Sequence, residues 1–162
     1  MNDRQRLERL MTLRERRERQ AASALLEQRR RYRHEAGRLD ELDQTLERER
    51  SEFDRLEQAW FEAAEGETLS PAELEQARQA LDDHYHRQAE LARVRSAVER
   101  ERSRLLDECE RQAEIWKRRA HAREALEKLL ARRQEADRIK EEGRLEADLE
   151  DGPAQGGPPG EA

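Results

Sequence analysis

Few residues of this 162-residue chain have the types and spacing that chemistry requires. His84 and His86 lie two residues apart, and side chains at that spacing on a helix point to diverging faces, so they cannot chelate one metal ion. The single cysteine, Cys109, stands in the acidic stretch 107–110, whose negative charge disfavours the reactive thiolate. The chain has no glycine-rich phosphate loop and no plausible Ser/His/Asp grouping. We therefore expect a non-enzymatic protein without a catalytic, cofactor-binding or metal-binding site.

Arginine is the residue type that the sequence offers in quantity for binding. Two dense runs lie within residues 14–19 and 29–33, and such runs suit an anionic partner such as RNA. However, acidic residues alternate with the arginines, the isoelectric point is about 5.5, and few aromatic side chains are available to stack on bases. An RNA-binding helical hairpin is therefore an alternative interpretation, and we expect no nucleic-acid partner.

The elements that position these residues are predicted to be long helices. Glu, Arg, Ala, Leu and Gln dominate the composition, 44% of the residues are charged, and all five types are good helix formers. From Met11 to Trp60 an apolar residue recurs at almost every seventh position, which is typical of a helix that packs along another helix. The alternative is a solvated single helix held by Glu–Arg pairs at i,i+4.

Turn signals divide the chain into two helices and a tail. The predicted fold class is all-α, with two long helices in an antiparallel coiled-coil hairpin over residues 3–148 and a disordered C-terminal tail. The first helix is predicted over about 3–64, the turn over 65–70, the second helix over about 71–148, and the Gly/Pro-rich tail over 152–162. No apolar leader or run of about 18 apolar residues is present, so we expect a cytoplasmic protein without direct membrane insertion.

Local signals predict the helix ends. Asp3 suits the N-cap of the first helix. Ser70 as N-cap, Pro71 at the first helical position and Glu73 closing a capping box together predict the start of the second helix. Gly66 suits the left-handed conformation in which many helices end.

The short turn predicts a register for the hairpin. If Ala63 faces Leu74, the numbers of facing residues sum to 137, so that Leu46 meets Leu91. Residues beyond about 134 then have no facing residue in the first helix. The predicted coiled-coil seam comprises Met11, Leu25, Tyr32, Leu39, Leu46, Phe53, Leu56, Trp60, Leu74, Leu81, Leu91, Val98, Leu105 and Leu126.

The same register makes predictions for charged residues. Glu18, the polar interruption of the seven-residue row, falls opposite Arg119, and Glu35 falls opposite Arg102. One pairing is unfavourable, because Arg14 falls opposite Arg123.

Charge is divided unevenly between segments of the chain. Residues 1–37 carry 11 basic and 6 acidic side chains, whereas residues 38–90 carry 6 basic and 16 acidic ones. The end of the hairpin with the termini is thus expected to be basic and the turn end acidic, which would present different surfaces to different partners. The alternative is that these charges only solvate the helices. Phe61 and Trp116 are candidate partner contacts, with packing at a helix edge as the alternative.

The plan of the chain resembles the FliJ/YscO/HrpO-type proteins of flagellar and type III secretion export machines. The resemblance covers about residues 4–148 and is carried by residues 7–21 (LERLMTLRERRERQA), a turn in the middle third, and residues 130–142 (LARRQEADRIKEE). The Gly/Pro-rich tail departs from the family's pattern.

What the resemblance implies is a central stalk for an export ATPase. The end that bears the termini would lie in the pore of the ATPase hexamer, the other part would contact the membrane export gate, and some members bind secretion chaperones. The resemblance implies a cytoplasmic location, peripheral to the inner-membrane secretion apparatus. The alternative is a generic coiled-coil scaffold or chaperone. The candidate partner-binding residues at the basic end are Arg14, Arg16, Arg17, Arg132 and Arg133.

Overall fold

Two long helices make up nearly all of residues 2–155, the part of the chain that this computed structural model describes. Helix α1 spans Asp3–Glu65 and helix α2 spans Pro71–Gln155. The two helices pack against each other as an antiparallel hairpin, which confirms the all-α fold predicted from the seven-residue repeat. Helix α1 continues without interruption through Gly37, and α2 continues through Gly143.

The hairpin consists of two compact units. One is formed by the residues up to Ala22 together with those from Glu114 onward, and the other is formed by Ser23–Ala113. Each unit contains a segment of both helices, so the pairing of α1 with α2 can be followed within each unit separately. We call them the terminal unit and the turn unit.

Asn2, and not Asp3, caps the start of α1. The Gln5 backbone N–H donates to Asn2 Oδ1 at 2.8 Å, and the Asn2 backbone N–H donates to Gln5 Oε1 at 3.3 Å. This reciprocal pair is a capping box, which satisfies two backbone donors at once. The predicted N-cap was wrong by one residue. Asp3 lies instead in the first turn of α1, where its negative charge is favourable near the helix N-terminus.

Helix α1 ends in a Schellman motif. The Thr68 backbone N–H donates to the Ala63 carbonyl at 2.9 Å, and the Glu67 backbone N–H donates to the Ala64 carbonyl at 3.1 Å, which is the paired pattern of this motif. Its left-handed residue is Glu67, with φ of 53°, and Gly66 has no positive φ. The prediction for Gly66 was wrong, because these hydrogen bonds require the left-handed conformation one residue later.

Helix α2 begins as its sequence signals predict. Ser70 Oγ accepts a hydrogen bond from the Glu73 backbone N–H at 3.2 Å, and the Ser70 carbonyl accepts the first helical bond from Leu74 at 3.0 Å. Pro71 occupies the first helical position, where its missing N–H costs no hydrogen bond. The predictions of Ser70 as N-cap and Pro71 at the first helical position are confirmed. The predicted capping box is only half formed, because among the described residues the Ser70 backbone N–H makes no hydrogen bond to the Glu73 side chain.

Helix α2 extends further than its predicted end near residue 148. It includes Gln155 and so takes in the first four residues of the predicted tail, 152–155. The remainder of the predicted tail, 156–162, lies outside the described residues. Every described side chain from residue 131 to residue 151 is exposed, as expected where α2 has no facing residue in α1.

The buried side chains form a thin line between the helices. In the turn unit they are Leu25, Leu39, Phe53, Val98, Leu105 and Cys109, and in the terminal unit they are Ala21, Ala120 and Leu126. The other seam candidates with partial burial are Met11, Tyr32, Leu46, Trp60, Leu81 and Leu91. Burial of Cys109 shows that its thiol packs in the seam. Ala21, Cys109 and Ala120 were not among the predicted seam residues, because the repeat was followed through large side chains only.

Two predicted seam residues are exposed. Leu56 is 46% exposed and Leu74 is 53% exposed. After Phe53 the inward positions of α1 are Glu57 and Trp60, four and seven residues further along, whereas Leu56 lies three residues after Phe53. Leu56 therefore turns outward. Leu74 lies in the first turn of α2.

Contacts between the helices follow the register predicted from the turn. In the turn unit, the Phe53 ring stacks on His84 with 3.9 Å between centroids, a pair whose numbers sum to 137. Arg87 Nε lies 3.1 Å from Glu49 Oε1, a pair one residue from that register.

Pairing within the terminal unit differs from the prediction in its partners. Glu18 pairs with Arg123, one helical turn beyond the predicted Arg119, because a guanidinium on a long side chain reaches across a turn. Arg14 Nη1 donates to the Ala122 carbonyl at 2.8 Å, so the expected clash of Arg14 with Arg123 does not arise.

A second predicted ion pair, in the turn unit, is replaced by a local one. Glu35 Oε1 lies 3.4 Å from Arg38 Nη1 on its own helix. The structure shows no ion pair between Glu35 and Arg102, both of which are described residues.

Candidate partner-binding surfaces

Four arginines from the two helices surround one cavity in the terminal unit. The cavity has a volume of about 440 Å³. Its lining residues are Arg14, Arg17, Ile115, Arg118, Arg119 and Ala122. We call this set the arginine surface. Arg14 and Arg17 share a face because they are three residues apart on α1.

A neighbouring ion pair engages Glu18, the residue that follows Arg17 of the arginine surface. Glu18 accepts a hydrogen bond from Arg123 Nε, and this bond raises the pKa of Arg123. Arg123 also contacts Glu127 at 2.6 Å. Glu18 is thus neutralised by a cation that does not line the cavity.

The guanidinium groups of the arginine surface are available to an external anion. Within residues 2–155, Arg17, Arg118 and Arg119 form no ion pair with a carboxylate, and Arg14 uses one N–H on a backbone carbonyl. Guanidinium groups bind carboxylates and phosphates through two parallel hydrogen bonds. The arrangement can therefore bind an acidic partner without first breaking an internal ion pair.

The predicted arginine candidates are only partly brought together. Arg14 and Arg17 line the cavity, whereas Arg16 is exposed elsewhere on α1. Arg132 and Arg133 are exposed on the stretch of α2 that has no facing residue in α1. Arg118 and Arg119 were not predicted from the sequence to belong to this cluster. The predicted register places residue 119 opposite residue 18, next to Arg17, and could have indicated them.

The turn unit contains a second, apolar cavity beside the turn. Its volume is about 260 Å³. It is lined by Glu57, Trp60, Phe61, Ala64, Leu69, Leu74, Ala77, Arg78 and Leu81, and we call it the turn cavity. Phe61 is 59% exposed, so the aromatic candidate singled out from sequence lies in the wall of this cavity. The other candidate, Trp116, is half-buried on α2 in the terminal unit.

Aromatic packing fixes one wall of the turn cavity. Trp60 meets Phe53 edge to face, with 5.9 Å between ring centroids, and Phe53 stacks on His84 with an interplanar angle of 4°. Edge-to-face and stacked aromatic pairs are stabilising arrangements. Trp60 is thereby held by the seam on one side while it lines the cavity on the other.

Acidic residues predominate in the segment of chain that forms the turn cavity, and Glu57 lines the cavity itself. Residues 57–83 contain eight acidic side chains and a single basic one, Arg78. Arg78 Nη2 lies 2.7 Å from Glu75 Oε1, and Arg78 Nη1 lies 3.9 Å from Asp82. The hydrogen bond from Arg78 lowers the pKa of Glu75. The one basic side chain that lines the cavity is therefore already neutralised.

The described residues offer no metal site and no membrane span. No group of three or more His, Cys, Asp or Glu within residues 2–155 is placed to hold a metal ion. Neither of the two described helices has a segment that is both long enough and apolar enough to cross a membrane.

Comparison with known proteins adds no relative. No protein-family model matches the chain, and neither a curated protein nor a solved structure is similar to it. The class of protein that the fold defines is a coiled-coil-like antiparallel helical hairpin.

Proposed function

We propose that the protein is a non-enzymatic central-stalk and adaptor protein of a type III secretion export apparatus. It binds the export ATPase hexamer and links it to the export gate and to secretion chaperones, at the cytoplasmic side of the inner membrane. The observation that supports this proposal most directly is the arginine surface, a set of guanidinium groups on the paired ends of both helices.

The arginine surface suits a partner that presents carboxylates. Within residues 2–155, Arg17, Arg118 and Arg119 of the cavity lining pair with no carboxylate, so binding breaks no ion pair of that part of the chain. Electrostatic attraction of this kind increases the association rate and restricts the choice of partner. In the proposed role, the acidic partner is the wall of the ATPase pore.

The extended part of α2 supports the same placement. Its side chains from residue 131 to residue 151 are all exposed, so this stretch is open to contact by another protein. It carries Arg132 and Arg133, whereas Arg138 is held by Glu135 at 2.5 Å and Glu142 at 2.6 Å. Both helices continue from the terminal unit into the turn unit without a break. A continuous pair of helices provides a means of passing ATPase conformational changes to a second partner.

The test is binding to the cognate export ATPase. The full chain should bind that ATPase, favour its hexamer and stimulate ATP hydrolysis. The variant Arg17→Glu/Arg118→Glu/Arg119→Glu should weaken binding by about tenfold or more, since each tenfold corresponds to only about 1.4 kcal/mol. The matched control Arg29→Glu/Arg33→Glu/Arg48→Glu makes the same charge change at exposed arginines outside the cavity and should change binding by less than about twofold. Absence of binding by the unmodified chain would contradict the proposal.

A second candidate function is that of a self-associating scaffold. Large apolar side chains are exposed on the part of α2 that lacks a facing residue, among them Ile139, Leu145 and Leu149, the last of which is 72% exposed. Sedimentation equilibrium separates the two functions. A chain that stays monomeric across micromolar concentrations supports the adaptor, and a stable dimer that Leu145→Ser/Leu149→Ser disrupts supports the scaffold.

A further inference from the structure

We propose that the turn cavity is a docking site for a basic amphipathic segment of a partner protein. The segment places one large apolar side chain in the cavity, and its flanking Lys or Arg side chains face the surrounding carboxylates. This inference deepens the adaptor role, on which it rests, by giving the chemistry of the partner that binds the turn unit.

The size of the cavity indicates a side chain as its occupant. Its volume of about 260 Å³ is below the range of roughly 300–1,000 Å³ typical of pockets for drug-sized ligands. The walls are almost entirely aliphatic and aromatic carbon, from Trp60, Phe61, Leu69, Leu74 and Leu81. Such a cavity suits one aromatic or branched aliphatic anchor, the kind of residue that dominates binding energy at protein interfaces.

The chain leaves the outer wall of the cavity uncovered. Phe61 is 59% exposed and Leu74 is 53% exposed, although they lie on different helices and border the same space. An exposed apolar patch of this kind with a polar rim is typical of an interaction site. The inner wall is fixed by Trp60 against Phe53, so little ordering of the cavity is needed on binding.

The charge around the cavity selects a basic partner. Of the nine charged residues in 57–83, eight are acidic, and the single base, Arg78, is held by Glu75 and Asp82. An acidic segment or an anionic lipid surface would bring like charges together, which is unfavourable. In a segment with an apolar anchor between lysine or arginine residues, the anchor fills the cavity and the basic side chains face the acidic residues around it.

The direct test uses a synthetic peptide and the full chain. The probe is a fluorescein-labelled, alanine-based peptide with the length of about four helical turns, with a central Phe, two Leu on the same face, and several Lys spaced apart on the flanking positions. Fluorescence anisotropy measures its binding. Two matched peptides replace every Lys with Glu, or the central Phe with Ala. The proposal expects each replacement to weaken binding by about tenfold or more.

Two chain variants of equal exposure locate the binding site. Phe61→Ser removes a wall of the turn cavity, and Leu26→Ser is its control, because Phe61 and Leu26 are each 59% exposed and Leu26 does not line the cavity. Phe61→Ser should weaken binding of the Lys peptide by about tenfold, and Leu26→Ser by less than twofold. Circular dichroism confirms that both variants remain helical, and Leu74→Ser provides a second variant in the opposite wall.

A direct optical signal comes from Trp60. In the Trp116→Phe chain it is the remaining tryptophan of the two, so its emission should shift to shorter wavelength when the peptide anchor excludes water from the cavity.

Three results would overturn the docking site. The first is equal binding of the Lys and Glu peptides, and the second is an equal effect of Phe61→Ser and Leu26→Ser. The third is concentration-dependent self-association of the chain that Phe61→Ser abolishes, which would make a second copy the occupant. None of these concerns the arginine surface. Failure of the chain to bind the ATPase would instead contradict the stalk role and leave the peptide result standing.

Discussion

Two neighbouring substitutions in the turn should both stabilise the hairpin. Glu67 has a φ of 53°, a left-handed conformation that costs an L-residue about 1–2 kcal/mol. Glycine avoids this cost and in return loses about 0.5–1 kcal/mol more conformational entropy on folding. The net effect of Glu67→Gly is therefore an increase of roughly 0.5–1 kcal/mol in the free energy of unfolding.

Gly66→Ala should also stabilise the turn, for a different reason. Gly66 has no positive φ, and a Cβ placed there would lie 3.5 Å from the Glu62 carbonyl oxygen and 3.8 Å from Thr68 Cγ2. These are ordinary van der Waals distances, so the methyl group fits without displacing a neighbour. Alanine restricts the unfolded chain more than glycine does, and this lower entropy of the unfolded state raises the free energy of unfolding by about 0.4–1 kcal/mol.

Urea denaturation followed by circular dichroism measures both effects as changes in the free energy of unfolding. Gly37→Ala is the control for glycine replacement in a helix, because a Cβ at that position has no atom within 4 Å. Gly37→Ala should raise the free energy of unfolding by about 1 kcal/mol. If Gly66→Ala instead destabilised the chain and Glu67→Gly did not stabilise it, the left-handed residue would be Gly66 and the assignment of the Schellman motif would be refuted.

Three further predictions concern contacts between the helices. Exchanging the charges of Glu18 and Arg123 together should destabilise the chain less than either single reversal, as a double-mutant cycle in urea would show. Phe53→Ala should lower the free energy of unfolding by about 3 kcal/mol because the ring is buried, whereas Leu56→Ala at an exposed position should lower it by less than about 1 kcal/mol. Thermal and urea denaturation of the two variants measure this difference. A hydrogen bond from Arg95 lowers the pKa of Asp43 below its ordinary value of 3.8. The pair therefore stabilises the folded chain above pH 3.8, and this stabilisation is lost as the pH falls through the lowered pKa of the folded state. Asp43→Asn should therefore destabilise the chain at pH 7 and have no effect in strong acid; an equal effect at both pH values would contradict the pairing.

The seven-residue repeat predicted the fold because burial in a two-helix hairpin depends mainly on periodicity. Leu25, Leu39 and Phe53 lie at every second position of the row and are all buried. Leu56, which is exposed, does not belong to that row: it lies three residues after Phe53, and the next inward position is Glu57, four residues after Phe53. The register followed from the turn alone, since a short connection leaves little freedom for two antiparallel helices.

The details of the binding surfaces could not be predicted from spacing. The partner of Glu18 depends on the reach and rotamer of a long arginine side chain. The turn cavity depends on the conformation of Glu67 and on how Leu69 is brought between Phe61 and Leu74. Phe61 was recognisable from sequence because an aromatic residue outside the repeat has no partner in the seam.

The contacts across the hairpin differ widely in the length of chain that each one closes. Arg87 and Glu49 are separated by 38 residues, whereas Arg14 and Ala122 are separated by 108. The entropic cost of closing a loop increases with this separation. Forming the Arg14–Ala122 contact first would therefore cost about 1 kcal/mol more than forming the Arg87–Glu49 contact first. Folding is therefore expected to proceed as a zipper from the turn, with the pairs around the arginine surface the last to form and the first to open. A partner that binds the arginine surface would then stabilise the paired state of these helix segments by mass action.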